Sequence, residues 1–463
     1  MEPMTIREIL EAVGGRLLGE FGDVNRTVSR VETDSRTIHA GSLFVPLMGE
    51  RFDGHAYINS ALEGGAAGCF TQRERESYLP GKFYIKVDST QRALRDLARY
   101  YKKKFPIPVV ALTGSVGKTT TKDMVAAVLG EKYKVLKTEG NLNNEIGVPM
   151  TLLRLGSEHE IAVLELGMNH AGEIDYLSAM VEPDVVLMTN IGDSHIEHFG
   201  SREKILEAKS EIFHHARPDA FVVINGDDPL LNTLPGRLPF SFTRIGAGEG
   251  LDYRAVDVES DGASRMTCRI VTPGGAFPVE IPALGAHMIY PTLMAAAVGE
   301  HFGLTHQQIA DGVLHFAPTK MRMNILHRGE GITVLNDAYN ANPQSMRAAV
   351  QVLSGARGEY KVAVLGDMFE LGPLAPALHA GIGDYLGKAG IHCLVAVGEL
   401  AKHIYDAAKS AGVPECHYCP TKEAAKPVLD GLVRPNATIL VKASRGMAME
   451  ELVDYLLGIT KEA

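Results

Sequence analysis

The sequence has 463 residues, and at roughly 100 to 200 residues per domain this length predicts about three domains. Hydrophobic residues make up 45% of the chain and charged residues 22%, a balance that is typical of globular proteins and excludes a disordered or fibrous chain. The formal net charge of -10 argues against a nucleic-acid partner, because such binding depends on clustered lysines and arginines.

The cysteines and the apolar residues indicate the cellular compartment of the protein. Five cysteines are scattered through the chain, which is typical of a reducing compartment. Cys416 and Cys419 form a Cys-x-x-Cys pattern without a second ligand pair nearby, so zinc or redox use stays a minor alternative. The first residues lack a signal-peptide pattern, and no run of about 18 apolar residues occurs. We therefore expect a cytoplasmic protein without membrane insertion.

Residues 1–98 read as a small α/β domain. An apolar stripe from Ile6 to Val13 predicts a short amphipathic helix, and Gly-punctuated short strands such as SLFVPL at 42–47 follow it. A strongly helix-forming segment at 89–104 then leads into the apolar strand IPVVALTGS at 107–115. We place the first domain boundary near 98.

Residues 99–317 predict a central domain in which apolar strands alternate with helices. Three further strands have this character, at 161–167, 184–192 and 220–228. Such alternation predicts a parallel sheet that is covered by helices on both faces.

Residues 318–463 predict a third, Rossmann-like α/β domain. Its strands begin with TVLND and continue with three more apolar runs, at 333–337, 361–367, 393–398 and 437–444. The fold class is therefore α/β with three domains.

The strongest local signal is a Gly-rich loop between an apolar strand and a helical pattern. It predicts a phosphate cradle made of backbone N–H groups, with a lysine as a point charge and a threonine as a Mg²⁺ ligand. Leu112 stands where the common P-loop pattern has its first glycine, although the strand-loop-helix context agrees. We expect a nucleoside triphosphate to bind here, the alternative being a plain Gly-rich strand-to-helix turn, and the residues are Thr113, Gly114, Ser115, Gly117, Lys118, Thr119 and Thr120.

Two further side chains follow strands of the predicted central sheet. Glu165 lies in LELG at 164–167 and could hold a metal at the carboxyl edge of the sheet, or be an exposed strand-end glutamate. His195 follows the strand that ends in TNIG, where it could ligate a metal, contact phosphate or serve the structure alone.

Separated motifs together resemble the Mur ligases, over essentially the whole chain and in order. They are GSVGKTTTK at 114–122, TEGNLNNEIGVPMTLL at 138–153, LELG at 164–167, TNIGDSHIEHFGS at 189–201, AKSEIF at 208–213 and NDAYNANPQSM at 336–346. The resemblance implies an ATP-dependent, ADP-forming ligase of peptidoglycan precursor synthesis. It would join D-alanyl-D-alanine to a UDP-N-acetylmuramoyl tripeptide through an acyl phosphate.

The resemblance also implies roles for residues that the patterns alone do not single out. The segment 33–68 is similar to the family's UDP-sugar-binding segment, and GNLNNEIGVP to a substrate-contacting loop. The implied substrate contacts are Ser35, Arg36, Asp53, His55, Asn143 and Asn144. In the C-terminal domain, Arg322 and Asp337 would contact the nucleotide.

Lys209 matches a lysine that is carbamylated in the family and helps to hold a second Mg²⁺. A carbamate is an anion where a lysine cation would repel magnesium. The implied catalytic residues are then Lys118, Glu165, His195 and Lys209, and the implied metal ligands are Thr119, Glu165, His195 and Lys209. Four C-terminal residues could either face the incoming dipeptide or anchor loops: Glu370, His379, Lys442 and Arg445.

One segment departs from the family, which commonly carries G-x-H-N-x-x-N-A near the adenine. Both asparagines are absent from the corresponding segment, which contains Met288 and Thr292. Two alternatives stay open, a sister ligase that adds a single amino acid and a P-loop ATPase that switches a partner. We expect ATP and Mg²⁺ as cofactors and a monomer.

Overall fold

A computed structural model describes residues 1–19, 21–49, 52–329 and 331–458. Strands and helices alternate along the chain, which confirms the predicted α/β class. None of the helices in these ranges combines the length and the apolar composition that a membrane-spanning helix needs.

The chain divides into two compact units. The first unit contains residues 1–111, 133–186 and 211–220. The second contains residues 112–132 and 187–210 and the chain from 221 onward.

The N-terminal segment, in the first unit, is built from short strands. The strands are β1 (Met4–Thr5), β2 (Arg16–Leu18), β3 (Thr27–Val28), β4 (Val31–Glu32), β5 (Leu43–Phe44), β6 (Met48–Gly49), β7 (Phe52–Asp53), β8 (Gly68–Thr71) and β9 (Phe83–Lys86). The helices are α1 (Ile6–Val13), α2 (Ile58–Glu63) and α3 (Thr90–Lys102). Five strands form one sheet in the order β2-β9-β8-β5-β4, in which only β2 runs antiparallel to its neighbour. Helix α2 packs on it through Ile58 and Leu62.

The predicted N-terminal helices begin directly after their N-cap residues. Thr5 caps α1 in a capping box with Glu8, which confirms the amphipathic helix. The hydroxyl of Ser89 accepts a hydrogen bond from the Arg92 N–H and so caps α3. Position 98 lies inside α3, and the domain boundary proposed there stays a prediction.

A nine-stranded sheet occupies the middle of the sequence. Its strands are β10 (Val109–Thr113), β11 (Val135–Lys137), β12 (Ile161–Glu165), β13 (Val185–Met188), β14 (Phe221–Asn225), β15 (Phe242–Gly246), β16 (Tyr253–Ser260), β17 (Met266–Thr272) and β18 (Gly275–Ile281). The helices of this region are α4 (Lys118–Gly130), α5 (Gly147–Leu152), α6 (Glu173–Val181), α7 (Ile196–Phe199), α8 (Arg202–Ser210), α9 (Ile289–His301) and α10 (His306–Leu314). The strand order is β11-β12-β10-β13-β14-β15-β16-β17-β18.

The sheet is parallel at the pairings β11–β12, β14–β15 and β15–β16, as the alternation predicts. The hairpins β16–β17 and β17–β18 are antiparallel, which the sequence analysis did not predict. Buried and more exposed residues alternate along β17, which is typical of a sheet with one face in the core and one face in solvent.

The C-terminal part of the second unit is a six-stranded sheet. Its strands are β19 (Asn324–Arg328), β20 (Ile332–Asn336), β21 (Tyr360–Gly366), β22 (Cys393–Val397), β23 (Glu415–Cys419) and β24 (Ala437–Lys442). Its helices are α11 (Pro343–Gly355), α12 (Ala375–Lys388), α13 (Ala401–Ser410), α14 (Lys422–Leu432) and α15 (Glu450–Leu457). The order is β19-β20-β24-β21-β22-β23, and β19 alone is antiparallel to its neighbour.

The order of this sheet gathers polar residues at one edge. Strand β24 lies between β20 and β21, so the loops that follow these three parallel strands leave the sheet side by side. Ligands of parallel sheets bind at such carboxyl ends. The loops carry Asp337, Glu370 and Arg445, residues that the sequence analysis had singled out.

Candidate functional site

The Gly-rich loop connects β10 to α4 as predicted. Gly114 has φ +152°, and a Cβ atom there would overlap the Thr189 hydroxyl, so only glycine fits. Gly117 has φ +78° and directly precedes the 13-residue helix α4. The turn therefore leads into a helix N-terminus, whose free N–H groups suit a phosphate.

Two residues after β13 hold this loop in shape. The Asn190 side chain accepts a hydrogen bond from the Val116 N–H at 3.0 Å and donates one to the Val116 carbonyl at 3.0 Å. Thr189 donates a further bond to the same carbonyl at 2.7 Å. The sequence analysis assigned no role to either residue, although both lie in the quoted TNIG motif. The contact joins segments that are far apart in sequence, which no local pattern encodes.

The hydroxyls of the loop differ in their partners. Ser115 Oγ accepts a hydrogen bond from the Gly192 N–H at 2.8 Å. The buried Thr113 hydroxyl has no hydrogen-bond partner within the described part of the chain. Thr119 is buried in the first turn of α4, and Thr120 beside it is half-buried. A buried hydroxyl left unpaired is costly, so a bound ligand would stabilise this loop.

Two lysines lie near each other at this loop. Lys118 donates a hydrogen bond to the Gly114 carbonyl at 2.9 Å. Lys209, on α8, is 1% exposed. Burial, and then the charge of Lys118, lower the pKa of Lys209 well below the ordinary value of a lysine. The lowered pKa favours the neutral amine, which is the form that can react with CO₂.

Glu165 ends β12 in the first unit and is buried. Its carboxylate accepts a hydrogen bond from Asn143 Nδ2 at 2.7 Å, and its backbone N–H donates to the Thr138 hydroxyl. Asn143 therefore orients the carboxylate. Asn144 Oδ1 accepts from the Ile146 and Gly147 N–H groups ahead of α5. A buried carboxylate oxygen at a strand end fits a hard divalent cation.

His195 precedes α7, and its ring contacts a loop that follows a strand of the C-terminal sheet. Its Nδ1 lies 2.6 Å from Oε2 of Glu370, in the loop between β21 and α12. This contact lowers the pKa of Glu370. The sequence analysis proposed both residues for the site without predicting that they meet.

The loop after β20 is tied to the end of β24. Lys442 Nζ lies 2.5 Å from Asp337 Oδ2 and 2.8 Å from the Asn340 carbonyl, to which it donates. Burial lowers the pKa of Lys442, while Asp337 opposes that shift. The Arg322 guanidinium lies 4.1 Å from the centre of the Tyr339 ring, and its Nε is buried without a partner in the described residues.

His379 and Ser444 brace the loop that carries Glu370. His379 Nδ1 donates to the Ala375 carbonyl at 2.7 Å, so its Nε2 accepts from the Met368 N–H at 2.9 Å. Ser444 Oγ accepts from the Phe369 N–H at 2.8 Å. These contacts favour loop anchoring, one of the two readings left open for this motif. Arg445 pairs with Glu450 at 2.7 Å.

The departure from the family's adenine motif lies at the start of α9. Met288 and Thr292 are both buried, and the Thr292 hydroxyl donates to the Met288 carbonyl at 2.8 Å. Neither Met288 nor Thr292 has a side-chain amide that could form hydrogen bonds with the adenine base.

The N-terminal residues form two groups within the first unit. Ser35 and Arg36 lie in a short 3₁₀ turn that Asp34 caps, and Arg36 pairs with Asp34 at 2.7 Å. The Asp53 carboxylate accepts hydrogen bonds from the His55 N–H at 2.9 Å and from its Nδ1 at 2.7 Å. The backbone contact and then the ring contact lower the pKa of Asp53.

The Cys-x-x-Cys pattern does not form a paired site on its strand. Cys416 and Cys419 are three residues apart on β23, so their side chains face opposite sides of the sheet. Cys419 is buried in the core of the C-terminal sheet. These two cysteines therefore cannot bind one zinc ion together or form a disulfide with each other from this strand.

The P-loop and the carboxyl-edge residues are those of a nucleotide-dependent enzyme, and three family models match the chain in order. They describe a Mur ligase family catalytic domain at residues 27–102, a Mur ligase middle domain at 112–299 and a Mur ligase glutamate ligase domain at 321–445. The chain belongs to the Mur ligase family, which confirms the resemblance and the three-domain α/β fold.

The relatives agree on one member of the family. The UDP-N-acetylmuramoyl-tripeptide–D-alanyl-D-alanine ligases of Bacillus subtilis and Escherichia coli are each 38% identical to this chain. The matches cover 98% of this chain and 98% and 99% of the two relatives. A crystal structure of MurF from Acinetobacter baumannii aligns with a TM-score of 0.91 at 33% identity over 99% of both chains. MurF from Thermotoga maritima in complex with ADP aligns with a TM-score of 0.82 at 28% identity, over 93% of this chain and 97% of that one.

Proposed function

We propose that this protein is the ligase that joins D-alanyl-D-alanine to a UDP-N-acetylmuramoyl tripeptide in the cytoplasm, with ATP converted to ADP. The observation that carries the proposal is the 38% identity to the two named ligases over 98% of the chain. The braced P-loop supports the use of ATP.

The chemistry starts from a carboxylate, which is a poor acylating agent because its oxygen leaves poorly and its charge repels a nucleophile. Transfer of the γ-phosphoryl group of ATP to the tripeptide carboxylate removes both obstacles. The amine of the dipeptide then attacks the acyl phosphate, the amide bond forms, and phosphate leaves. Lys118 would stabilise the charge on the transferring group, which is the main contribution a protein makes to such a step.

The residues proposed to bind Mg²⁺ are Thr119, Glu165, His195 and Lys209. Mg²⁺ bound there would neutralise charge on the phosphate oxygens. The buried Glu165 carboxylate and the Thr119 hydroxyl supply oxygen donors. Lys209 would join them as a carbamate, formed when its amine attacks CO₂ and releases a proton to solvent. The lowered pKa of Lys209 favours the deprotonated amine that this step requires.

The remaining proposed contacts divide by substrate. Arg322 and Asp337 would bind the nucleotide beside the Gly-rich loop. The UDP-sugar would meet Ser35, Arg36, Asp53 and His55, and the exposed rings of Phe52 and Tyr57, stacked at 5.5 Å, offer an apolar face next to Asp53. Asn143 and Asn144 would meet the same substrate. We keep the domain limits 1–98, 99–317 and 318–463, and a monomer, as part of this proposal.

Product stoichiometry tests the proposal. The protein is incubated with ATP, Mg²⁺ and D-alanyl-D-alanine, with either the lysine or the diaminopimelate form of the tripeptide, and products are measured by mass spectrometry. We expect one ADP per amide product and a requirement for both cosubstrates. ATP hydrolysis that needs neither cosubstrate would favour the ATPase switch, and transfer of a single amino acid would favour a sister ligase.

A further inference from the structure

Three side chains of the kinds that bind metals lie together on the C-terminal sheet, outside the nucleotide site. They are Cys393 at the start of β22, and Glu415 and His417 on β23. One ligand atom from each of the three residues lies within 4.8 Å of the other two. The group thus combines a thiol, a carboxylate and an imidazole, which are the donors that proteins use for zinc.

The pairing of the strands brings these side chains together. Cys393 is the partner of Glu415 across the parallel strands β22 and β23. Residues two apart on one strand point to the same face of a sheet, so His417 lies on the face of Glu415. Cys416, between these two residues, points to the opposite face. The cluster therefore depends on the register of two strands and not on the Cys-x-x-Cys pattern.

The size of the cluster fits one tetrahedral ion. Zinc binds sulfur at about 2.3 Å and nitrogen or oxygen at about 2.1 Å, so the ligand atoms of one ion lie about 3.4 to 3.6 Å apart. His417 Nε2 lies 2.8 Å from Glu415 Oε1, and an ion between them would replace this contact. Side-chain shifts of about 1 Å would then give the ligand separations of a zinc site. The Cys393 thiol would release its proton to solvent, because the thiolate is the ligand.

The surroundings of the cluster also suit an ion. The Tyr360 hydroxyl donates a hydrogen bond to Glu415 Oε2 at 2.6 Å, which orients the carboxylate with Oε1 toward His417. Carboxylates that bind metals are held by outer hydrogen bonds of this kind. The Cys393 side chain is buried, whereas those of Glu415 and His417 are 41% and 35% exposed. An ion could therefore enter from solvent and bind against the buried sulfur, with water in the fourth position.

The cluster lies at the opposite edge of the sheet from the proposed nucleotide contacts. Cys393 and Glu415 are the first residues of their strands, whereas the loop with Asp337 follows the carboxyl end of β20. The five residues of β22 separate the two edges by about 13 Å, at about 3.3 Å per residue. Strand β23 is the last strand of this sheet, next to β22. An ion at the cluster would thus join an edge strand to its neighbour.

We propose that Cys393, Glu415 and His417 form a zinc site that links the edge strand β23 to β22. Thiolate and imidazole ligands select zinc over Mg²⁺, which prefers oxygen ligands. The inference does not rest on the proposed function, because none of these three residues is assigned to ATP, Mg²⁺ or a substrate of the ligase.

Cobalt(II) is the probe, because it can replace zinc and gives a charge-transfer band when a thiolate binds it. The full-length protein is titrated with Co²⁺ in excess Mg²⁺, which occupies sites built from oxygen ligands. We expect one Co²⁺ per chain with the thiolate band, and loss of the band when Zn²⁺ is added. A wild-type spectrum without the thiolate band would overturn the inference.

Variants identify the ligands. Cys393→Ala should abolish the band. Loss of an outer partner alone costs about 10- to 100-fold in metal affinity, so loss of a ligand in His417→Gln should weaken Co²⁺ binding at least about tenfold. Cys416→Ser is the matched control, because this thiol lies on the same strand but on the opposite face, and it should keep both the band and the affinity. A band that persists in Cys393→Ala, unchanged affinity in His417→Gln, or loss of the band in Cys416→Ser would each overturn the assignment. If Cys393→Ala does not fold, the two variants on β23 still decide.

Thermal unfolding tests the structural role. A ligand stabilises the state that binds it, so Zn²⁺ should raise the Tm of the wild type and of Cys416→Ser. The same Zn²⁺ concentration should raise the Tm of His417→Gln less. An equal rise in all three proteins would place the stabilising zinc elsewhere and overturn the proposed link between β22 and β23.

Discussion

Replacement of Lys209 by methionine should make the protein more stable and far less active. The Lys209 side chain is 1% exposed, and burial next to Lys118 holds its pKa well below the ordinary value. Methionine has a similar volume and carries no amine, so it restores the packing and removes the cost of burying a polar group. Burial of a polar group costs about 1 to 3 kcal/mol in protein mutation data. A core substitution that conserves side-chain volume costs less than about 1.5 kcal/mol.

The net gain is expected to be about 1 to 2 kcal/mol at neutral pH, which should appear as a higher Tm of the variant. The assay is thermal unfolding in buffer depleted of CO₂, together with turnover in bicarbonate. We expect turnover to fall by at least about 10³-fold, as for loss of a group that stabilises the transition state. Bicarbonate should raise the Tm of the wild type only, because a ligand stabilises the state that binds it.

The pH dependence of this effect has a defined sign. Unfolded Lys209 binds its proton up to a pH of about 10.4, whereas the folded form releases it at a lower pH. Between those two values the unfolded state holds more protons, so wild-type stability rises with pH across this window. The advantage of Lys209→Met should therefore be constant below the folded pKa and shrink as the pH approaches 10.

A second buried lysine gives the matched control. Lys442 is equally buried but is paired with Asp337 at 2.5 Å. Lys442→Met leaves that carboxylate without its cation and should lower stability by about 3 to 5 kcal/mol. A Lys209→Met variant that loses stability as Lys442→Met does, or that keeps its turnover, would refute the reasoning about Lys209.

Three further outcomes are expected at the nucleotide. Lys118→Ala should lower turnover by at least about 10³-fold with an unchanged Tm, and turnover within about tenfold of wild type would remove its assigned role. Asn190→Ala removes both hydrogen bonds to Val116 and should raise the KM for ATP by about 5- to 160-fold, at about 0.5 to 1.5 kcal/mol for each bond, whereas an unchanged KM would mean that Thr189 suffices. Met288→Asn should sharpen the preference for ATP over GTP, measured as kcat/KM, by about fivefold for one added hydrogen bond, and an unchanged preference would mean that other groups read the base.

Much of this protein follows from patterns within a few residues. The α/β class, the P-loop and the helix starts depend on hydrophobic periodicity, on glycines and on capping residues, and these act over one turn or one strand. For example, Asn342 caps α11 and Pro343 occupies its first helical position, where each of these residue types is favoured. The antiparallel strands β16–β18 were not anticipated, because short strands of alternating burial carry a weak signal beside the long apolar strands.

The tertiary structure decided which of the predicted residues act on one another. Asn190 forms hydrogen bonds with Val116, Glu370 contacts His195, and Lys442 forms an ion pair with Asp337. The two partners of each pair are far apart in sequence. The lowered pKa of Lys209 is likewise invisible in AKSEIF, because a pKa depends on burial and on neighbouring charges, and these exist only once the chain has folded.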